Sequence, residues 1–366
     1  MSVSKKSIRV GLIGYGYAGK TFHAPLIQSV PGLELTVVGS SRRDTVLANL
    51  PEVAVCPVME DVATHPEVDL VVIASPNDGH SPLAAAALLA GKHVVVDKPF
   101  TVTLAEARAL VSLAEQQERL LSVFHNRRWE SESLATQAIL ESGALGEISH
   151  FEVHIDRFRP AVRQRWRENN GPGAGLWFDL GPHLIDEAIQ LFGLPQTINA
   201  NFAIQRSGGE TDDWAHVQLN YDRLRVILHT SLLVPRGGPR SVLHGTLASW
   251  AKYGADVQEK QLIAGIHPDS IGFGVDPDPG ILYDSATGEQ TKIPAPPSNQ
   301  SAYYIGIREA LWGHQPNPVT PEQSLAVMAI LETSFESGAS GRVLPLQLTD
   351  KERSIFEKQK QLDWRR

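Results

Sequence analysis

Cysteine is almost absent: Cys56 is the only one in 366 residues. No disulfide framework can form, which suits a reducing compartment. A basic excess is absent too. The net charge of −8 lacks the positive field that counterion release at a nucleic-acid surface requires, although a local basic pocket for a phosphate remains compatible with it. No run of about 18 apolar residues occurs, so no membrane partner is expected. The start, Met1 to Ser7, is short and polar and does not read as a secretory leader. These absences point to a cytoplasmic protein. There is no H-E-x-x-H pair and no cysteine cluster, and the histidines are scattered, so no metal site is expected.

What is present describes a globular chain, 42% hydrophobic and 20% charged. Its length suggests two domains at roughly 150 residues each. Apolar runs at Ile8–Ile13, Leu33–Ser40, Asp69–Ser75, His93–Pro99 and Leu120–Asn126 alternate with helical stretches. Such runs fit parallel strands covered on both faces, so residues 1–125 are expected to form a doubly wound Rossmann domain. After Asn126 the pattern changes. A helix at Ser131–Ser142 is followed by strand candidates Glu147–Phe158, Thr197–Gln205, Trp214–Tyr221, Arg223–Val234, Arg240–Gly245 and Ser249–Lys252. Residues 126–366 are therefore expected to form an α+β domain with a large open, mostly antiparallel sheet. Gly265–Ser298 reads as a long loop or hairpin, helices return at Ala302–Trp312 and Pro321–Ser337, and the charged tail from Thr349 is expected to be peripheral.

Three features carry chemistry. First, Gly14-Tyr15-Gly16-Tyr17-Ala18-Gly19 is a G-x-G-x-x-G between a strand and a helix, the setting in which the pattern signals a dinucleotide pyrophosphate. The plain alternative is an ordinary glycine turn. At the end of the second strand stands Ser40-Ser41-Arg42-Arg43, with no carboxylate before Asp44. Hydroxyls and guanidinium groups suit a 2′-phosphate, so NADP is favoured, with NAD possible if Asp44 does the recognition.

Second, Asp97-Lys98-Pro99 ends the fourth strand, where open sheets of this type place ligands. A lysine there can stabilise a developing alkoxide, or it can be a surface lysine. Third, Asp179 and His183 are four apart around Pro182 in GPGAGLWFDLGPHLIDEAIQLFG. Pro182 places the pair in or just before the first helical turn. His183 is suited to proton transfer near neutral pH, with Asp179 orienting it or the substrate and Asp186 a rival partner. Capping by Asp179 beside a structural histidine is the alternative.

These pieces together resemble the Gfo/Idh/MocA family of oxidoreductases. The resemblance rests on GLIGYGYAGKTFHAP at Gly11–Pro25, SPNDGH at Ser75–His80, AGKHVVVDKPF at Ala90–Phe100 and GAGLWFDLGPHLID at Gly173–Asp186, and it covers almost the whole chain. It implies a Rossmann domain, a second domain whose sheet makes homodimer or homotetramer contacts, and a catalytic set of Lys98, Asp179 and His183. It adds Ser75, Pro76, Asn77, His80, Asp97 and Asn126 to the cofactor side, with Asn77 and His80 near the nicotinamide ribose. Asp97 stands where the family more often has Glu. FHNRRW at Phe124–Trp129 and DRFRPAVRQRWRE at Asp156–Glu168 are similar to a bacterial subgroup that includes NADP-dependent scyllo-inositol dehydrogenases.

The implied activity is hydride transfer between nicotinamide C4 and a secondary alcohol or ketone of an inositol-like polyol or sugar. Lys98, Asp179, His183, Arg157 and Trp166 would face the substrate; most of the other arginines in that basic island are expected to be solvated or to make subunit contacts. A non-catalytic dinucleotide sensor on the same fold is the competing reading. A sensor, however, has no need to keep Lys98, Asp179 and His183 together.

Overall fold

The computed structural model describes residues 6–361. The polar residues 1–5 and the last five of the charged tail, 362–366, lie outside the described residues.

The first half alternates strand and helix: β1 (Ile8–Ile13), α1 (Ala24–Gln28), β2 (Leu33–Gly39), α2 (Arg43–Leu47), β3 (Ala54–Cys56), α3 (Met59–Ala63), β4 (Leu70–Ile73), α4 (His80–Leu89), β5 (His93–Asp97), α5 (Leu104–Gln117) and β6 (Leu121–Phe124). The six strands form a parallel sheet in the order β3-β2-β1-β4-β5-β6, the doubly wound arrangement. Val10, Leu12, Val72, Val95 and Val123 are completely buried, as continuous apolar runs require when helices cover both faces. β3 is the strand that the sequence did not announce: its apolar run Val53–Cys56 is only four residues long, and Ala54–Cys56 is only partly buried.

α5 is fixed at both ends by local chemistry. Thr103 and Glu106 form a capping box, and Glu118 closes the helix in a left-handed conformation. The helix expected from Lys20 begins earlier and carries a π turn at Gly19–His23, closed by Ala24 N–H donating to Gly19 O. That turn directly precedes Pro25, which has no N–H to continue a regular ladder.

The second half comprises α6 (Ser131–Glu141), β7 (Ile148–Asp156), α7 (Leu176–Phe192), β8 (Thr197–Ala203), β9 (Trp214–Asn220), β10 (Arg225–Ser231), β11 (Ser241–Gly245), β12 (Ala248–Lys252), α8 (Gln258–Ile263), β13 (Gly280–Asp284), β14 (Gln290–Ile293), α9 (Ser301–Leu311), α10 (Pro321–Ser340), β15 (Leu344–Pro345) and α11 (Asp350–Gln361). Its nine strands lie in the order β14-β13-β12-β11-β7-β10-β9-β8-β15. The pairs are antiparallel apart from β7 with β10. β7 alternates partly exposed and buried residues, because one face lies under helices and the other does not. The Gly265–Ser298 stretch contains the β13–β14 hairpin. The tail helix α11 is docked: Phe356 is buried and Glu352 pairs with Arg108 of α5 at 2.7 Å.

Candidate active site

The glycine loop joins β1 to the helix that contains α1. Gly14 has φ +95°, and a Cβ there would meet Ala74 O at 2.5 Å. A Cβ on Gly19 would collide with Gly14 O, whereas one on Gly16 would meet no protein atom within 4 Å. The protein itself therefore requires the first and third glycines, while the second leaves backbone open to an approaching group. This is the division of labour that a dinucleotide cradle needs. Tyr15 is buried and Tyr17 is exposed; the Tyr17 hydroxyl donates to Glu259 of α8 at 2.5 Å. Arg42 Nη2 donates to Tyr15 O at 3.0 Å, and Arg42 N–H donates to Ser40 Oγ at 3.1 Å. The guanidinium at the end of β2 is thus folded back onto the glycine loop, beside exposed Ser41. Asp44 is exposed in the first turn of α2.

Past β4, Asn77 is buried and its side-chain amide donates to Gly173 O at 2.9 Å, tying the Ser75–Pro76 turn to the loop before α7. His80 is also buried, with Nδ1 2.8 Å from Pro99 O and Nε2 3.1 Å from Ser75 O. Both ring edges face backbone carbonyls, so His80 braces the Lys98–Pro99 turn, whose peptide bond is cis. Asp97 accepts from Lys98 N–H at 2.8 Å and faces the buried His23 at 3.8 Å. Asn126 is buried at the first position of a short 3-10 turn after β6.

Lys98 and Asp179 meet across the two sheets. Lys98 Nζ donates to Asp179 Oδ1 at 3.0 Å and to Asp179 O at 2.8 Å. Burial pushes the Asp179 carboxyl up, but Lys98, Arg167 and Arg157 outweigh it and hold the group well below the usual carboxylate range. His183 lies one helical turn further on, buried, with Nδ1 lacking a hydrogen-bond partner. Burial, then the positive charges of Arg127 and Lys98, push its pKa well below the ordinary imidazole value, so the ring is neutral at physiological pH.

α7 starts earlier than Pro182 suggested. The first turn begins at Leu176, leaving Asp179 in that turn and both Pro182 and His183 inside the helix. Two contacts make this possible. Asp212 accepts from Trp177 N–H at 2.6 Å and so caps the helix start from a distant segment. Gly175, at φ +102°, leaves room for that carboxylate. Further along, Pro182 leaves the Phe178 carbonyl without its helical donor, and Lys98 donates to the next carbonyl, that of Asp179.

The basic island divides. Arg165 binds Glu168 at 2.9 Å, and Arg128 binds Asp186 at 2.6 Å, so Asp186 is committed to that pair. Arg167 reaches Asp179 at 3.4 Å and lies over the Trp166 ring at 4.4 Å. Arg157, with Arg127, Arg240, Asp256 and Glu259, lines a cavity of about 600 Å³ beneath the loop 234–239.

Arg167 was not separable from its neighbours by sequence, since nothing marks which arginine of a cluster turns inward. Glu187 did have a signal: it continues Asp179 and His183 at a further spacing of four along one helix face. It is buried with Oε1 unpartnered, and burial pushes it up to about 7.

The fold and this juxtaposition define a nicotinamide-dependent class, and the chain belongs to the Gfo/Idh/MocA oxidoreductase family. The family's NAD-binding Rossmann model matches residues 8–125, and its C-terminal alpha/beta domain model matches residues 137–348. Among relatives, the chain is 49% identical to the uncharacterized oxidoreductase YdgJ of Escherichia coli, over 90% of this chain and 96% of that one. It is 36% identical to the scyllo-inositol 2-dehydrogenase (NADP(+)) IolW of Bacillus subtilis, over 93% of this chain and 96% of that one. A crystal structure from Klebsiella pneumoniae superposes with a TM-score of 0.92 at 52% identity, covering 97% of this chain and all (100%) of that one. Among the described residues no helix is long and apolar enough to cross a membrane.

Proposed function

We propose that this oxidoreductase is an NADP-dependent dehydrogenase or reductase acting on the CH–OH group of a polyol or sugar, with an inositol-like ring the favoured substrate. Residues 1–125 hold the cofactor, and residues 126–366 supply the substrate site. The observation that carries the proposal is Lys98 held on Asp179 at 3.0 Å with neutral, buried His183 one turn away. The similarity to IolW supports both the inositol-like ring and NADP, and Arg42 on the glycine loop supports a 2′-phosphate.

When bound, the nicotinamide accepts or returns the hydride. The glycine loop and Arg42 hold the dinucleotide, with Ser75, Pro76, Asn77, Asp97 and Asn126 bordering the nicotinamide end. Asp179, kept ionised, fixes the Lys98 ammonium. Lys98 donates to the reacting oxygen and stabilises its developing negative charge. His183 takes the hydroxyl proton in oxidation and returns it in reduction. Arg157 and Trp166 border the ring-binding space, and Arg167 adds a second cation to Asp179. We also assign the face of the nine-stranded sheet away from the helices to a homodimer or homotetramer contact, and the chain, with its one cysteine, to the cytoplasm.

Lys98→Ala and His183→Ala are expected to lower turnover by roughly 10²–10⁴-fold while retaining NADP binding measured by fluorescence titration. Near-normal turnover in both variants would remove the catalytic assignment, and a binding-only sensor would then be favoured.

A further inference from the structure

A group of side chains away from the helices takes no part in that chemistry. β7 and β10 run parallel with His154 opposite His229 and Asp156 opposite Ser231, and β9 pairs His216 with His229. The period-two alternation of β7 puts His150, Glu152, His154 and Asp156 on one face. His154 and Asp156, two apart on β7, thereby meet the distant His229: one donor atom from each lies within 4.8 Å of the other two.

His154 is hydrogen-bonded to Glu152 and Asp156 along β7, but His229 is not drawn into that ladder. His154 Nδ1 lies 3.3 Å from Asp156 Oδ2, and His229 Nε2 lies 3.8 Å from Asp156 Oδ1. The second separation is too long for a hydrogen bond. Accordingly, Asp156 Oδ1 is buried without a hydrogen-bond partner. Ligands at about 2.0–2.2 Å from a tetrahedral zinc stand roughly 3.3–3.6 Å apart, so an ion would draw His229 a few tenths of an ångström toward Asp156.

The surroundings match what a metal-bound imidazole needs. His154 Nε2 lies 2.8 Å from Glu152 Oε1, a carboxylate placed on the far ring nitrogen that fixes the tautomer and ring plane. Glu152 is itself 3.4 Å from His150. The His229 ring is held edge-on against Trp214 at 5.5 Å and lies 5.6 Å from the His216 ring. His154 and Asp156 also line the cavity of about 600 Å³, which gives an ion a path from solvent.

We propose that His154, Asp156 and His229 bind a divalent transition-metal ion. Two imidazole nitrogens and one carboxylate oxygen suit zinc and its neighbours rather than calcium or magnesium. Three protein ligands leave at least one position for water or another donor. The ion clamps β7 to β10 at the rim of the cavity.

The test is a zinc titration of the untagged full-length chain against a chromophoric chelator. One zinc per chain is expected. Affinity should fall at least roughly tenfold in His154→Ala and in His229→Ala, and roughly tenfold in Glu152→Gln, which leaves all three ligands in place and disturbs only the orientation of His154. His216→Ala should keep the wild-type affinity. Zinc should raise the thermal midpoint of the wild type but not of the two alanine variants. Wild-type zinc binding no tighter than that of the His154→Ala/His229→Ala double variant would overturn the proposal. So would a loss in His216→Ala equal to that in His229→Ala.

Discussion

Lys98 donates both to the carboxylate and to the main-chain carbonyl of Asp179, so one side chain fixes the strand end of the first sheet against a helix of the second. None of this was visible at the residue level in the sequence, where Lys98 read equally as a surface lysine and Asp179 as a helix cap. Resemblance alone joined them. His183 carries a consequence for pH. Its pKa lies well below the ordinary imidazole value because burial and nearby cations oppose its charge. The base form therefore persists as pH falls through 6.5, and the acid limb of kcat/KM for alcohol oxidation should lie below the normal imidazole range; a limb centred near 6.5 would contradict this. Arg42 carries a second prediction. Arg42→Ala should raise the KM for NADP about tenfold or more, the loss expected of a charge-assisted contact, while the KM for NAD stays within about twofold. Equal effects on both cofactors would instead make Arg42 a brace for the glycine loop through Tyr15 O.

At the scale of elements, the strands of the first sheet were legible because burial on both faces demands uninterrupted apolar runs, as in IRVGLI at Ile8–Ile13. The exceptions have physical reasons. β3 is three residues long and half-covered. α8 (Gln258–Ile263) is six residues long with two of them buried, too short to display a period. α7 was misjudged at its start because its cap, Asp212, comes from elsewhere in the chain, and no local pattern reveals a distant carboxylate. Burial raises the Asp212 pKa to about 6 against the pull of the amides it caps. Asp212→Ala should destabilise the protein by about 1–2 kcal/mol, as lost caps do. Because α7 also carries Asp179 and His183, it should lower kcat as well. Denaturant unfolding together with steady-state rates checks both; a stability loss with an unchanged kcat would show that the helix start does not govern the position of Asp179.

Across the whole molecule, the two-sheet plan followed from strand spacing, but the convergence of His154 with His229, and of Arg167 with Asp179, depends on register and loop path that no local pattern encodes. Stability on this scale should depend on pH through buried neutral imidazoles. His125 is 2% exposed, and burial lowers it to about 4. Between pH 4 and 6.5 the unfolded chain binds more protons at this residue than the folded one, so its own contribution should rise with pH by on the order of 3 kcal/mol, while Glu187 and Asp212, held up to about 7 and about 6 by burial, pull the other way. Urea unfolding of the wild type and of His125→Gln at intervals across the window isolates this residue's slope, and parallel profiles would mean that the ring is charged in the fold. The central claim, hydride transfer to NADP from a polyol, is tested most directly by reduced-nicotinamide absorbance with a panel of inositols and aldoses supplied with NADP and with NAD in parallel. Turnover of at least one inositol with clear preference for NADP is expected. No turnover across the panel, or a strong preference for NAD, would contradict it.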